Sequence, residues 1–456
     1  MSTLELDLKV PASAASFLRR AAVPTLILAV ALLGYVYSDY GRLPGKLGDI
    51  PVIGRLKPQA VDWCSGEEVR PHCWYQHDVY LADAILKGDL DVTATDIPDY
   101  YQDVVPKGPK RYLPFPVGPA LLLLPFVAVW GTDFSEVYVS IVLGAVNVVL
   151  FWYLLSVLNI SRTSKWLLVP FFAFGTPHFY SATTGTVWFY NHVAAMTFVL
   201  LALILLFKRV WPVIPAALLG FGFLAREPVV LAAPFLLYWL VAQRHASVLT
   251  KEALLDKRTI YDFGLISAGL LPFVIFWFAY NFVRFDNPLE TGYETVYRGY
   301  GGIPYSFYLR DFPNAARFGL FDVRNIPLHL YTMFLMPPQF VPDWSVLRPS
   351  PYGMSVVLTS PAFVYAFFVK GRNALRTGLW LTIGLISIPL LFHWTQGWVQ
   401  FGYRFMLDFA PFLLILTAWG FDDNRTSGAM RVQVFLVVVS IVAGFWGRYW
   451  ANQLAW

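Results

Sequence analysis

Charge is scarce in this chain. Asp, Glu, Lys and Arg together make up 14% of its 456 residues, where an average soluble domain carries about a quarter. That shortage excludes a water-soluble globule of this size, and the apolar content that accompanies it excludes intrinsic disorder. Cysteine is nearly missing. Cys64 and Cys73 are the only two, too few for a disulfide-built mini-scaffold. The chain has no collagen-like period, no internal repeat and no low-complexity linker. It carries no zinc-binding pattern, phosphate-binding loop, dinucleotide fingerprint or serine nucleophile elbow. No basic run suggests nucleic acid. The net charge of +5 suits Lys and Arg placed against anionic lipid headgroups.

Apolar surface is what the sequence has in excess. Hydrophobic residues reach 57% and the mean hydropathy is +0.54. The 17 Trp and 25 Tyr favour membrane–water interfaces, where an apolar ring and a polar edge are both satisfied. A helix crosses the hydrocarbon core with roughly 20 mostly apolar residues. Eleven segments qualify: 21–37, 136–159, 166–182, 187–207, 210–224, 228–242, 260–283, 353–369, 377–393, 405–420 and 432–447. A twelfth apolar stretch, 113–131, opens Leu113-Pro114-Phe115-Pro116 and is broken again by Gly118-Pro119, which denies it a straight helical start.

The distribution of cations decides how that stretch is read. If 113–131 does not cross, the segments 1–20, 160–165, 208–209, 243–259, 370–376 and 421–431 lie on one side and hold sixteen Lys and Arg, against only Arg226 and Arg404 in the short connections opposite. If it crosses, every later segment inverts and the positive-inside rule fails. The stretch is therefore expected to be re-entrant or in-plane. Arg19-Arg20 precede an apolar run without a small-residue cleavage pattern, which reads as a retained anchor with a cytoplasmic amino terminus. The expected fold is an all-α polytopic membrane protein forming a single membrane domain over 1–456. It has about eleven transmembrane helices and two long outer loops, 38–135 and 284–352, the first with in-plane juxtamembrane helices. Both cysteines fall in the first loop, so a Cys64–Cys73 disulfide is expected; the alternative is two free thiols in a reducing compartment.

The stretch 75–88, YQHDVYLADAILKG, is the most informative for chemistry. It reads as a short helix with Lys87 in its last turn and Gly88 as terminator. At about 100° per residue, Val79, Leu81, Ala82, Ile85 and Leu86 share one face, and Asp78 falls inside that apolar arc. A carboxylate on a buried face needs a partner or a task. One reading makes Asp78 a cap on the helix dipole. The other makes it a proton acceptor whose affinity for the proton is raised by desolvation. Downstream aspartates, Asp89 to Asp103, read as a solvated loop face. Lys110 and Arg111, at the mouth of an apolar element, either snorkel to headgroups or hold a phosphate.

Other polar residues interrupt apolar spans near their outer ends: His178, Tyr180, Trp188, Asn191, His192, Arg226-Glu227, His393, and Tyr403-Arg404 with Asp408. Their convergence at one level points to a shared site. Arg226 needs a cavity or a partner, and Glu227 does not serve, because adjacent helical side chains diverge. The loop 284–352 carries Tyr293-Glu294, Tyr297-Arg298 and Tyr300 among several glycines, a composition that suits sugar stacking or a mobile lid.

These stretches resemble the GT-C fold glycosyltransferases, the superfamily of protein O-mannosyltransferases and lipid A aminoarabinose transferases. His77-Asp78-Val79-Tyr80 with Ala82 and Gly88 looks like that family's first-loop acidic signature. Lys110-Arg111-Tyr112-Leu113-Pro114-Phe115-Pro116 is similar to the segment that follows it. Leu218 to Pro228 resembles the Gly-rich span ending in Arg, and Phe401-Gly402-Tyr403-Arg404-Phe405 with Pro411 the late Gly-Tyr-Arg motif. The chain departs from the family in a long insertion before Asp78 that contains both cysteines. It also has His-Asp where an acidic pair is common, which weakens any inference of a two-carboxylate metal site and leaves a divalent metal open.

The resemblance implies an inverting glycosyltransferase in the cytoplasmic membrane with its site facing outward. Its donor would be a polyprenyl-phosphate-linked sugar and its acceptor a glycan, lipid or protein. Asp78 would be the catalytic base. Lys110, Arg111, Arg226 and Arg404 would hold the leaving phosphate, while His77, His192, Glu227, Tyr293 and Tyr403 would line the acceptor and sugar. The competing reading is a transporter or flippase of lipid-linked sugars. It fits less well because the ionisable groups gather near one surface rather than the midplane, and no repeated halves are seen. A non-catalytic scaffold ranks third, since buried charges need a reason to persist.

Overall fold

The computed structural model describes residues 14–38, 75–99, 101, 103–248, 250–299, 318–341, 346–397 and 399–454. Cys64 and Cys73, and with them the expected disulfide, lie outside these residues. In chain order the principal helices are α1 (Ala14–Ser38), α2 (His77–Leu86), α3 (Gly118–Trp130), α4 (Glu136–Val157), α5 (Arg162–Phe174), α6 (Pro177–Thr184), α7 (Val187–Phe207), α8 (Val213–Ala225), α9 (Ala233–Ala242), α10 (Lys257–Phe285), α11 (Tyr293–Gly299), α12 (Ile326–Phe334), α13 (Asn373–Phe392), α14 (Ala410–Asp423) and α15 (Ser427–Gln453). Extended structure among the described residues consists of two antiparallel hairpins. In one, β1 (Val105–Lys107) pairs with β2 (Lys110–Tyr112); in the other, β3 (Gln339–Val341) pairs with β4 (Val346–Arg348).

Among the described residues six helices are long and apolar enough to cross a membrane: α1 over Ala21–Ser38, α4, α7, α10, α13 and α15. This fits an all-α integral membrane protein. The other five expected spans are not single long helices. Residues 166–182 divide into α5 and α6, while 210–224 shrink to α8. Residues 228–242 begin as a 3-10 helix, Glu227–Ala232, before α9; 353–369 become the single turn Val356–Thr359 and a 3-10 helix Pro361–Phe368; and 405–420 open with a 3-10 segment, Arg404–Asp408. Proline explains most of these breaks. Pro177, Pro228, Pro361 and Pro411 each stand in the first two positions of a new element, where a fixed φ is favourable and the missing N–H costs nothing. Hydropathy counts apolar residues and does not register that the helix restarts. The doubtful stretch forms α3, whose 13 residues rise roughly 20 Å against a core of about 30 Å.

The central column is α7. Of its apolar window 83% is buried, against 17% for α10 and 22% for α15. It packs on α4 and α8, and α8 packs in turn on α10. The peripheral helices present apolar rows outward, such as Leu271, Ile275, Phe278 and Phe282 on α10. Such rows fit a lipid-facing surface. The breaks at Pro177 and Pro411 lie buried inside this shell, where irregular backbone is tolerated because protein surrounds it, whereas the broken segment Val356–Phe368 keeps Val357, Phe367 and Phe368 exposed. One close approach fixes the geometry nearby. A Cβ at Gly118 would lie 2.6 Å from the Leu224 carbonyl oxygen, so only a hydrogen lets α3 dock on the end of α8, one residue before Arg226.

Candidate active site

Helix α2 brings the first acidic group to the interior. It forms where expected, stops at Gly88 with φ of +81°, and buries Val79, Leu81 and Ala82 while Lys87 stays outside. The expected apolar face is not kept to its end, because Leu86 is exposed and Tyr80, from the opposite side, is buried. Asp78 is fully buried. It is not the helix cap. That position belongs to Gln76, whose side chain makes no cap bond to its own helix. Instead Gln76 Oε1 accepts the N–H of Glu136 at 3.1 Å, the first residue of α4. The Glu136 carboxylate, also fully buried, faces the backbone N–H groups of Asp78, Val79 and Val187 without closing a short hydrogen bond to any of them. It therefore lies before the N-termini of both α2 and α7, where helix dipoles favour negative charge.

Two buried carboxylates thus adjoin. The Asn191 amide, oriented as its surroundings require, donates to Asp78 Oδ2 at 3.0 Å and to the Val187 carbonyl at 3.1 Å. Asp78 Oδ1 has no hydrogen-bond partner. Burial pushes the Asp78 carboxyl well above the usual carboxylate range, because desolvation penalises the anion.

The next residue on α7 reaches a second cluster. His192 Nδ1 lies 2.7 Å from Asp408 Oδ1. A carboxylate only accepts, so Nδ1 carries the proton and Nε2 is left as an acceptor; that nitrogen is buried and without a partner. Arg226 grips the same carboxylate with two nitrogens, Nη2 to Oδ2 at 2.7 Å and Nε to Oδ1 at 3.1 Å. Both side chains come from breaks in the apolar runs: Arg226 caps the end of α8, and Asp408 ends the 3-10 segment before α14. The Arg226 and Arg404 guanidinium carbons lie 5.6 and 5.2 Å from the centroid of the Phe405 ring, both within cation–π reach. Gly397, at φ of +94°, closes over Arg404; a Cβ there would meet Nη1 at 2.8 Å. Asp408 is fully buried, whereas a fifth of the Arg226 side chain is exposed. The arginine therefore keeps one open side.

The remaining candidates distribute as follows. Glu227 is not paired with Arg226; it accepts from Trp277 Nε1 at 2.9 Å. Tyr403 donates its hydroxyl to His329 Nδ1 at 2.8 Å, and His329 Nε2 donates to the His393 carbonyl at 2.8 Å. Burial pushes the His329 imidazole down to about 4, consistent with that neutral tautomer. The Tyr293 hydroxyl is pushed up by burial and lies within electrostatic reach of Asp103, Glu227, Arg226 and Arg404. Its ring meets Phe115 at 6.2 Å, and Phe115 meets His77 at 4.8 Å. His77 is enclosed by the rings of Tyr75, Tyr101, Phe115 and Trp188. Lys110 and Arg111 are not brought to the arginine cluster. On β2 they form exposed pairs with Asp89 at 3.4 Å and Asp99 at 3.2 Å, so the aspartates read as a solvated face neutralise them.

Glu136 and His329 are the residues that sequence reasoning passed over. Glu136 follows Ser135 at the head of an apolar run and looks like an ordinary acidic first turn. His329 falls within the expected outer loop 284–352 in a stretch without a motif, whereas the structure sets it on α12. Among the described residues no group of three His, Cys, Asp or Glu side chains is disposed to hold a metal ion.

Together these features define an all-α protein of membrane type with buried carboxylates and arginines gathered around the first turns of its central helix. No family model and no curated protein matches the chain. Among solved structures it is similar to the archaeal oligosaccharyltransferase AglB from Archaeoglobus fulgidus, in complex with an inhibitory peptide and a dolichol-phosphate. The likeness has a TM-score of 0.46 and 11% sequence identity and covers 96% of this chain; the chain spans 56% of the length of that structure.

Proposed function

We propose that this chain is a membrane glycosyltransferase that moves a sugar from a polyprenyl-phosphate donor to an acceptor hydroxyl or amine. The reading rests on the side chains and not on the likeness to AglB. One observation carries it. Asn191 and His192, consecutive on α7, hold Asp78 and the Asp408–Arg226 pair respectively, so a desolvated carboxylate and a guanidinium cluster are tethered to neighbouring Cα atoms about 3.8 Å apart. Two buried atoms in this arrangement, Asp78 Oδ1 and His192 Nε2, make no hydrogen bond to another protein atom, which leaves them open to water or to a ligand group.

In this reading the acceptor O–H or N–H loses its proton to Asp78 and its lone pair forms the new bond to the anomeric carbon. The bond from that carbon to the phosphate oxygen breaks with its electron pair, and configuration inverts. Arg226 and Arg404 hold the departing polyprenyl phosphate, fixed positive charge placed where negative charge grows. His192, Glu227, Tyr293, Tyr403 and the His77 enclosure shape the acceptor and sugar side. The chain crosses the membrane with eleven segments, several broken by proline, α2 lies in the membrane plane, and the site faces outward. Lys110 and Arg111, neutralised by their aspartates, are left to tether the first loop.

The test is turnover by the purified full chain in liposomes, given a synthetic polyprenyl-phosphate sugar. Wild type should release polyprenyl phosphate with the sugar on the acceptor, and Asp78→Asn should lose at least about a hundredfold while keeping its thermal transition. Full activity in Asp78→Asn removes Asp78 from the mechanism. Movement of intact sugar-lipid between leaflets without cleavage replaces the enzyme with a flippase.

A further inference from the structure

Helix α12 is built inside out. Its inward positions are His329, Thr332 and Met333, all buried, and two of the three are polar. Its outward positions Leu330, Tyr331 and Phe334 are 40%, 44% and 50% exposed, and Leu335 beyond its end is 68% exposed. These follow the i, i+1, i+4, i+5 spacing of one helical face. The hairpin that follows continues the surface. Phe340 on β3 pairs directly with Leu347 on β4, and both lie open at 61% and 52%. Monomeric proteins in water rarely expose a contiguous apolar patch of this kind; a surface that turns polar groups in and apolar groups out belongs in lipid.

The depth of this patch is fixed by the chain itself. Helix α13 has 20 residues, a rise of roughly 30 Å, so its two ends fall at the two faces of the hydrocarbon core. Its C-terminal end is stitched to the segment that leads into α12. The Asp322 N–H donates to the Phe392 carbonyl at 2.8 Å, Asn325 Nδ2 donates to the same oxygen at 2.9 Å, and the Trp394 N–H donates to the Leu320 carbonyl at 2.9 Å. Helix α12 therefore starts at the level where α13 leaves the core, and α13 likewise presents apolar residues outward, Leu381, Leu385 and Ile388. At the start of α12 the exposed Arg324 pairs with the Asp322 carboxylate at 2.8 Å, which sets polar side chains at the level where α13 ends.

We infer that α12 and the β3–β4 hairpin form an interfacial foot, its face of Leu330, Tyr331, Phe334, Leu335, Phe340 and Leu347 immersed in the headgroup–acyl boundary of the bilayer at the end of α13. The foot is coupled to the candidate site, because His329 on its inner face bonds both Tyr403 and the His393 carbonyl. The bilayer surface thereby sets the position of the loop that carries Arg404.

Labelling in vesicles tests this without any substitution and without turnover, so its outcome is independent of the proposed reaction. The full chain in phosphatidylcholine vesicles carrying a diazirine on the acyl chain is irradiated and mapped by mass spectrometry. A parallel sample receives a water-soluble carbene reagent. The foot is expected to take lipid adducts at Leu335, Phe340 and Leu347 at a level within about threefold of the outward residues of α13, and few aqueous ones. Aqueous adducts at these residues with lipid adducts confined to the spans overturn the inference. Protection from both reagents, with cross-links between two copies through this face, overturns it in favour of a protein partner.

Discussion

Asp408 is the place where burial, charge and the proposed reaction can be separated. Replacing it with Asn keeps the shape and leaves an oxygen to accept from His192 Nδ1, but removes the charge that balances Arg226. Breaking a fully buried ion pair costs about 3–5 kcal/mol, mainly because a charge is left uncompensated. Asp408 is fully enclosed and Arg226 is exposed over a fifth of its side chain, which places Asp408→Asn at the lower end, about 3 kcal/mol. With an unfolding entropy of roughly 2 cal/mol/K per residue, 456 residues turn that into a fall of about 3 °C in the transition temperature. The double variant Asp408→Asn with Arg226→Gln removes both charges and keeps a neutral hydrogen bond, and should recover all but about 1 kcal/mol. Thermal unfolding in a fixed detergent, read by intrinsic fluorescence, gives the cycle. The rescued double variant should still lose most of its turnover, because one of the two cations that receive the leaving phosphate is gone. A single variant as stable as wild type, or a double variant no better than the single, refutes the uncompensated-charge argument. A double variant with full turnover refutes the role given to Arg226.

Two further outcomes concern Asp78. Its carboxyl is raised above the ordinary value of 3.8 by burial, so the fold is most stable with the proton on: that stability is fully present below 3.8 and is lost as pH rises through the folded value. Thermal transitions should fall with rising pH over that window in wild type and flatten in Asp78→Asn. Turnover should move the opposite way, rising with pH as Asp78 becomes able to accept a proton, with its acid limb above the usual carboxylate range; a limb near 3.8 contradicts the assignment.

The parts of this protein legible in sequence are those governed by local pattern. The α2 helix follows from its apolar run with Gly88 behind it, and Asp78 is buried as the pattern has it. But every residue from His77 to Ala82 is buried and Leu86 is open, so enclosure by neighbouring elements and not the period decides which side chains are inward. Arg226 and Arg404 announce themselves as charges among apolar runs. What closes around them is not local. Arg226 and Asp408 are 182 residues apart and His192 and Asp408 are 216 apart, so their pairing depends on the packing of α7, α8 and the break before α14. Glu136 was hidden for the opposite reason: an acidic residue opening a helix is common enough to need no partner, yet here it faces the first amides of two other helices. Lys110 and Arg111 carried a plausible phosphate-binding composition, and the hairpin turn at Gly108-Pro109 folded them back onto Asp89 and Asp99 instead. Six of the eleven expected spans are single long helices; the other five are interrupted, most of them at prolines that restart the helix, which a count of apolar residues does not register.

The most direct measurement is an experimental structure of the full chain in a lipid nanodisc with a polyprenyl phosphate bound. The phosphate oxygens should lie within hydrogen-bond distance of both Arg226 and Arg404, with the lipid tail leaving between helices toward the bilayer and Asp78 facing the side from which the acceptor enters. A phosphate held by Lys110 and Arg111, or one bound on the far side of α7 from Arg226, contradicts it.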